Sequence, residues 1–231
     1  MDPTDLPPSL ADTLLRQLLP AGETRRLEFK RVSGKMVGKA LETVCAFANT
    51  QGGTLVLGMA DLKEFQGPAR LFGVEENPEA VDELQRKLRT EFLPAVDGLR
   101  LQRIVSPLHN GPAKGAAGSV LLLQVPRSPR VHSIVNGGTY TRLDAGNRML
   151  SAGEVTALSY QRGERSASSE PVAVALARLQ TGAWQRFAAQ RGPLTGSFAD
   201  QLLRIGLADE VDGTVLPRRA AVLLFADEPG S

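Results

Sequence analysis

The chain has 231 residues, of which 42% are hydrophobic and 23% charged, and its formal net charge is +2. This composition excludes disorder as the dominant state, while one cysteine and two histidines exclude an internal disulfide and a Cys/His metal cluster. No stretch approaches the roughly 18 consecutive apolar residues of a membrane-spanning helix and no signal sequence precedes the first helix, so we expect a cytoplasmic protein.

Apolar periodicity predicts alternating helices and strands through residue 162. Residues 1–20 are predicted to contain the helix "PSLADTLLRQLLP". The following segments, in chain order, are the strand "RRLEFKRV", the helix "KMVGKALETVCAFANT", the strand "TLVLGM", the helix "NPEAVDELQRKLRTEF", the strands "LRLQRIV" and "SVLLLQV", the strand entered through "NGGTYTRL", and the helix "SAGEVTALSY". Asn77 is predicted to cap one helix, and Ser151 with Glu154 has capping-box spacing at another. We predict an α+β fold, in which a mixed β-sheet of the strands near 26, 54, 99, 119 and 139 packs with helices near 36, 78 and 151.

The chain after residue 162 has a different composition. The polar stretch 163–170 is predicted to be a linker, and residues 171–231 a small, mainly helical unit. Its apolar run "RAAVLLFADEP" stops at the chain end, where no later segment can cover it. We therefore expect 171–231 to be a truncated bridge into a missing downstream domain.

Charge is distributed unevenly along the sequence. Residues 21–50 hold six Lys/Arg against three Glu, and 127–148 hold four Arg against one Asp, whereas 75–91 hold six acids against three cations. Such asymmetry is compatible with one basic face, although charged runs are also common on solvated surfaces.

Two enzyme classes lack support in the sequence. The segment "SGKMVGKA" has glycine spacing too short for a nucleotide phosphate loop, and Ala40 stands where such a loop needs a metal-binding hydroxyl. A hydrolase nucleophile elbow of the form G-x-S-x-G does not accompany either histidine.

Three motifs together resemble the Schlafen/divergent AlbA domain family. They are "ETRRLEFKR", "CAFANTQGGTLVLGMAD" and "GGTYTRLDAGNRMLSAGEV", in the family's order, and the resemblance covers residues 21–162. It implies a nucleic-acid-binding domain. It also implies a place at the N-terminus of a bacterial transcriptional regulator related to the RecG helicase, with an ATP-binding domain downstream.

The resemblance also extends to three carboxylates. Schlafen proteins that cleave RNA use two glutamates five positions apart and an aspartate after the "GG" strand, and Glu23, Glu28 and Asp61 resemble that pattern. Three carboxylates can hold Mg²⁺ or Mn²⁺ against a phosphodiester. Their convergence requires a bend between the two glutamates.

A structural role for these carboxylates is the alternative. Glu28 is able to pair with Lys30 or with an arginine of "YTRLD", while Glu23 could be a solvated turn residue and Asp61 could cap a loop. Six cations are predicted to contact nucleic-acid phosphates. They are Arg25, Lys30, Arg31, Lys35, Lys39 and Arg142.

Three functions follow as hypotheses. The first is a nucleic-acid-binding module, with DNA favoured over RNA, that requires no cofactor and forms a homodimer as some relatives do. The second is a metal-dependent endoribonuclease, and the third is a scaffold that regulates the missing ATP-binding domain.

Overall fold

A computed structural model describes residues 1–33, 35–192 and 195–228 of the chain. The chain divides into two compact units, of which the first is Met1–Arg162 and the second begins at Gly163. Within the predicted bridge 171–231, residues 193, 194 and 229–231 lie outside the described residues. Among the helices of the described ranges, none combines the length and apolar character needed to cross a bilayer.

The first unit contains the helices and strands that its apolar periodicity predicts, together with short strands that it does not. Its elements are β1 (Thr4–Asp5), α1 (Pro8–Leu18), β2 (Leu27–Lys30), α2 (Met36–Ala48), β3 (Gly53–Leu57), α3 (Pro78–Thr90), β4 (Phe92–Leu93), β5 (Arg100–Pro107), β6 (Ala117–Val125), β7 (Ser133–Ile134), β8 (Tyr140–Leu143), β9 (Gly146–Met149) and α4 (Ala152–Gln161). The capping predictions are confirmed: Asn77 accepts a hydrogen bond from the Ala80 amide, and Ser151 and Glu154 form a capping box.

A five-stranded mixed sheet is the centre of this unit, so the predicted α+β class is confirmed. Its strand order is β1-β5-β6-β3-β2, with parallel β1/β5 and β2/β3 pairs and antiparallel β5/β6 and β6/β3 pairs. The prediction that the strand near 139 belongs to this sheet is wrong, because β8 pairs with β9 as a separate hairpin. The fifth strand is instead β1, which is too short to produce a periodic signal.

Both faces of the sheet are covered by helices. Leu55 and Leu57 of β3 pack in one cluster with α2 and α3, whereas Val56 packs with α1 on the opposite face. This division follows from the alternation of side chains along a strand. Because each fully buried leucine or valine contributes about 1.5–3 kcal/mol, the two apolar clusters account for the positions of these helices.

The second unit combines short helices with a hairpin. Its elements are α5 (Gly182–Arg191), α6 (Phe198–Arg204), β10 (Ala208–Val211), β11 (Thr214–Pro217) and α7 (Arg219–Phe225). The apolar run near the chain end forms α7, and its Phe225 packs against Trp184 in the core of this unit. Leu223 and Leu224 of the same helix are exposed.

Candidate functional site

A tight turn directs Glu23 back toward strand β2. The Thr24 amide donates to the Leu27 carbonyl at 2.9 Å, and Glu23 Oε1 accepts a hydrogen bond from the Phe29 amide at 3.2 Å. Strand β2 lies beside β3, and Asp61 follows β3 along the chain. The bend required for the two glutamates to approach each other is therefore present.

The environment of Glu23 is half-buried and acidic. Burial raises the pKa of the Glu23 carboxyl, and the negative charges of Glu28 and then Asp61 raise it further, against the opposing effect of the hydrogen bond from Phe29. Glu23 therefore lies at a turn but is only partly solvated. The three carboxylates are close enough for their charges to interact.

Glu28 is a buried structural carboxylate. Its Oε1 accepts a hydrogen bond from Lys30 Nζ at 2.5 Å, and its Oε2 accepts one from Arg142 Nη2 at 2.5 Å. Both partners considered for Glu28 in the sequence are therefore present. The "EFK" and "YTR" motifs thus meet at one buried ion-pair cluster.

The three predicted metal ligands do not form a three-carboxylate metal site. Both oxygens of Glu28 are paired with cations. Across residues 1–33, 35–192 and 195–228, no group of three or more His, Cys, Asp or Glu side chains has an arrangement that could hold a metal ion. Asp61 instead accepts a hydrogen bond from the Lys63 amide at 3.3 Å, which is the loop-capping role considered for it.

The assignment of Arg142 to phosphate contact is wrong because the side chain is buried. None of its side-chain surface is exposed. Besides Glu28, its guanidinium donates to Asn147 Oδ1 at 2.8 Å and to the Thr24 carbonyl at 2.9 Å. Arg142 therefore joins the β8–β9 hairpin to the turn before β2 and cannot reach a ligand on the surface.

Four of the other predicted cations line one groove. The groove has a volume of about 430 Å³, and it lies between the end of β2, the start of α2 and the loop after β3. We call Lys30, Arg31, Lys35 and Lys39 the basic groove; Asp61 and Glu64 also line it. Arg25, the sixth predicted cation, is exposed at the preceding turn and does not line it.

Ion pairs orient most cations of the basic groove. Lys30 pairs with Glu28, Arg31 with Glu76, and Lys39 with Glu42. The Arg31 guanidinium also lies 3.8 Å from the centre of the Phe72 ring, which fixes its direction. Within the described part of the chain, Lys35 has no ion-pair partner.

Arg70 is a residue of this region that no sequence motif indicates. Its side chain is completely buried, and its Nε donates to the Ala60 carbonyl at 2.8 Å. Its Nη1 donates to the carbonyls of Leu18, Leu19 and Ala21 at 2.8–3.0 Å. Arg70 thus joins the end of α1 to the segment before Asp61. Burial lowers its pKa, while Asp61 and Glu23 act in the opposite direction.

The substitution Glu23→Gln is expected to stabilise the fold near pH 7. Because the pKa of the Glu23 carboxyl is raised in the folded state, its protonated form stabilises the fold at pH values below 4.5, the ordinary pKa of glutamate. This stabilisation is lost as the pH rises through the raised pKa. At pH 7 only the wild type carries the unfavourable charge. Because Glu23 is partly solvated and therefore screened, we expect a rise of about 1–2 °C in the midpoint of thermal unfolding.

Circular dichroism at pH 7 and pH 4 checks this expectation. The advantage of Glu23→Gln should disappear near pH 4, where the wild-type side chain is protonated. Glu210→Gln, at an exposed position of β10, is the control and should change neither midpoint. A lower midpoint for Glu23→Gln at pH 7 would contradict the prediction.

Comparison with known proteins places this region within one family. The model of the family described as Schlafen, AlbA_2 matches residues 23–151, or 129 of the 231 residues. Among solved structures, the DIP2311 protein from Corynebacterium diphtheriae matches with a TM-score of 0.43 and 17% identity over 94% of this chain and 45% of that one. The chain therefore spans less than half the length of that protein.

A second solved structure is the N-terminal domain of a RecG-related protein from Nitrosomonas europaea. It matches with a TM-score of 0.36 and 25% identity over 62% of this chain and 95% of that one. The family model includes the turn at Glu23, strand β2, the basic groove and the β8–β9 hairpin. Since it covers more than half of the sequence, this chain belongs to the Schlafen, AlbA_2 family.

Proposed function

We propose that the chain binds nucleic acid through the basic groove. The observation that carries the proposal is the convergence of Lys30, Arg31, Lys35 and Lys39 on one concave surface. Cations in this arrangement neutralise backbone phosphates and release the counterions that surround them, without reading base sequence. The family resemblance favours a more specific form of this proposal. In that form the target is duplex DNA, and the whole protein is a bacterial transcriptional regulator.

The start of α2 adds a second attraction for phosphate. The helix begins at Met36, and among the described residues no side chain caps its N-terminus. The positive end of the helix dipole therefore lies at the groove, where Lys35 and Lys39 are also found. Lys39 is 69% exposed, so its pair with Glu42 exchanges readily for a phosphate.

Carboxylates limit where the phosphates can lie. Asp61 and Glu64 line the wall of the groove that follows β3, and they repel a phosphate. The bound backbone is therefore expected to follow the β2 and α2 side, nearest to Lys35.

Removing two lysines of the basic groove should weaken DNA binding. In Lys35→Gln/Lys39→Gln, we expect the affinity for a duplex of 20 base pairs to fall about tenfold and the slope of log K against log salt to decrease by about 2. Fluorescence anisotropy over a salt series measures both quantities. The substitutions are at exposed positions, so the circular dichroism spectrum should not change.

The matched control removes the same charge elsewhere. Lys87 lies on α3 and Lys114 on a loop, and neither lines the groove. Lys87→Gln/Lys114→Gln should retain most of the affinity and salt dependence. Equal losses in the two double variants, or binding that does not respond to salt, would contradict the proposal.

The endoribonuclease and the scaffold remain the competing hypotheses. Cleavage of labelled tRNA that requires Mn²⁺ and is lost in Asp61→Ala would establish the nuclease. The engaged oxygens of Glu28 argue against it, and we expect no metal-dependent cleavage. Absence of binding to both DNA and RNA would favour the scaffold.

A further inference from the structure

The sheet face that packs against α1 changes from apolar to polar along its strands. Val56 and Leu122 lie in the apolar cluster beneath α1. Two positions away on the same strands, and therefore on the same face, are Thr54 and Gln124. Polar residues at these positions are expected only where the helix no longer covers the sheet.

Cross-strand register adds a third polar side chain to these two and places the three in a row. Thr54 of β3 pairs with Gln124 of β6, which in turn pairs with Arg100 of β5. Directly paired residues of antiparallel strands project to the same face. We call Thr54, Gln124 and Arg100 the polar row. Gln124 is held in place because its Nε2 donates to Gln102 Oε1 at 3.0 Å.

The polar row and a second arginine, Arg26, line one pocket. The pocket has a volume of about 640 Å³ and lies at the end of β3 opposite to Asp61. Arg26, whose carbonyl accepts a hydrogen bond from the Thr54 amide, and Arg100 are both lining residues. The pocket volume is within the range of small-ligand sites, about 300–1,000 Å³.

Two features distinguish this pocket from the basic groove. Its lining contains no aspartate or glutamate among the described residues, whereas Asp61 and Glu64 line the groove. Within the same described ranges, neither Arg26 nor Arg100 has an ion-pair partner. Both arginines are exposed, so their guanidinium groups are available to a ligand.

The chemistry of the lining selects an anion. A guanidinium offers a planar fork of donors that matches the oxygens of a phosphate, and the Gln124 amide is a neutral donor beside it. The pocket lining includes no aromatic side chain on which a base could stack.

We propose that the pocket lined by Arg26, Arg100 and Gln124 is a phosphate-binding site separate from the basic groove. The phosphate comes either from the backbone of a bound nucleic acid or from a small phosphorylated ligand. The site does not depend on the function proposed for the groove, since it lies at the opposite end of the strands and uses different side chains.

Two probes distinguish the sources of the phosphate. Isothermal titration with inorganic pyrophosphate is carried out on the full chain in a Lys35→Gln/Lys39→Gln background, so that the groove does not contribute. Anisotropy with the 20-base-pair duplex is carried out in the otherwise unchanged chain. In each case Arg26→Gln/Arg100→Gln is compared with Arg86→Gln/Arg89→Gln, which removes two exposed arginines from α3.

A loss of about tenfold in pyrophosphate affinity, confined to Arg26→Gln/Arg100→Gln, supports the site with a small phosphorylated ligand. A decrease of about 2 in the salt slope for DNA, confined to the same variant, supports the site with a nucleic-acid backbone. Equal behaviour of the two double variants toward both probes would overturn the proposal.

A third measurement requires no substitution. The side-chain Nε–H resonances of Arg26 and Arg100 should shift when pyrophosphate or duplex is added to ¹⁵N-labelled wild type, and unchanged resonances with both probes would overturn the site. The groove is tested separately by its own lysine variants, so the failure of one proposal leaves the other intact.

Discussion

The substitution Arg142→Ala is expected to lower the free energy of unfolding of the first unit by about 3–5 kcal/mol, because it leaves the buried Glu28 carboxylate without its arginine partner. Arg142 is completely buried, and Glu28 is only 7% exposed at its side chain. Lys30 remains beside Glu28 Oε1, but Oε2 loses its donor. The carbonyl of Thr24 also loses the hydrogen bond from Arg142.

Urea denaturation followed by far-UV circular dichroism measures this loss. The single tryptophan, Trp184, lies in the second unit, so its fluorescence is not a suitable probe of the first. Arg148→Ala is the matched control on the same hairpin, because Arg148 forms an exposed pair with Glu154. It should change stability little, since exposed ion pairs are weakly stabilising.

The pairing itself is tested by adding Glu28→Gln to Arg142→Ala. Because the neutral amide does not leave a charge buried, the second substitution should cost much less in the Arg142→Ala background than in the wild type. Additive losses would show that the two side chains do not stabilise each other. A loss for Arg142→Ala no larger than that for Arg148→Ala would exclude the buried pair.

The substitution Arg70→Met should destabilise the same unit by about 3 kcal/mol. Methionine retains an apolar side chain against Phe29 but donates no hydrogen bonds, whereas Arg70 donates to four carbonyls. The carbonyls of Leu19 and Ala60 are among the acceptors that lose this donor. The end of α1 and the loop before Asp61 should therefore separate more readily.

Hydrogen exchange identifies where Arg70→Met acts. Amides of α1 should exchange faster in the variant than in the wild type, and the denaturation midpoint should fall. Arg16→Met is the control on α1, because Arg16 is exposed and pairs only with Asp12 of the same helix. If Arg70→Met unfolds at the same urea concentration as Arg16→Met, the four hydrogen bonds do not stabilise the fold as described.

Much of the candidate site was predictable because its residues are neighbours in sequence. Lys30, Arg31, Lys35 and Lys39 lie at the end of one predicted strand and the start of the next helix, so they were expected on one surface. The partners of Glu28 were also anticipated as alternatives from two motifs. The burial of Arg142 could not be predicted, because the residues next to an arginine in sequence do not show whether its side chain is exposed or buried.

Contacts between distant segments could not be predicted from neighbouring residues. Glu28 and Arg142 are 114 positions apart, and their contact depends on how the β8–β9 hairpin packs. The strand near 139 is predicted to join the central sheet but pairs with β9 instead, because a strand pattern does not specify its pairing partner. The polar row draws one residue from each of three strands, and only their register aligns Thr54, Gln124 and Arg100.

The sequence by itself determined the α+β class, the family, the helix caps and the cations of the basic groove. These depend on side-chain periodicity, capping residues and motifs, each of which acts over a few neighbouring positions. The tertiary structure decided which charges are buried, which strands pair, and which arginines are free to meet a ligand. Those properties depend on contacts between segments distant in sequence, which form only when the chain packs around its core.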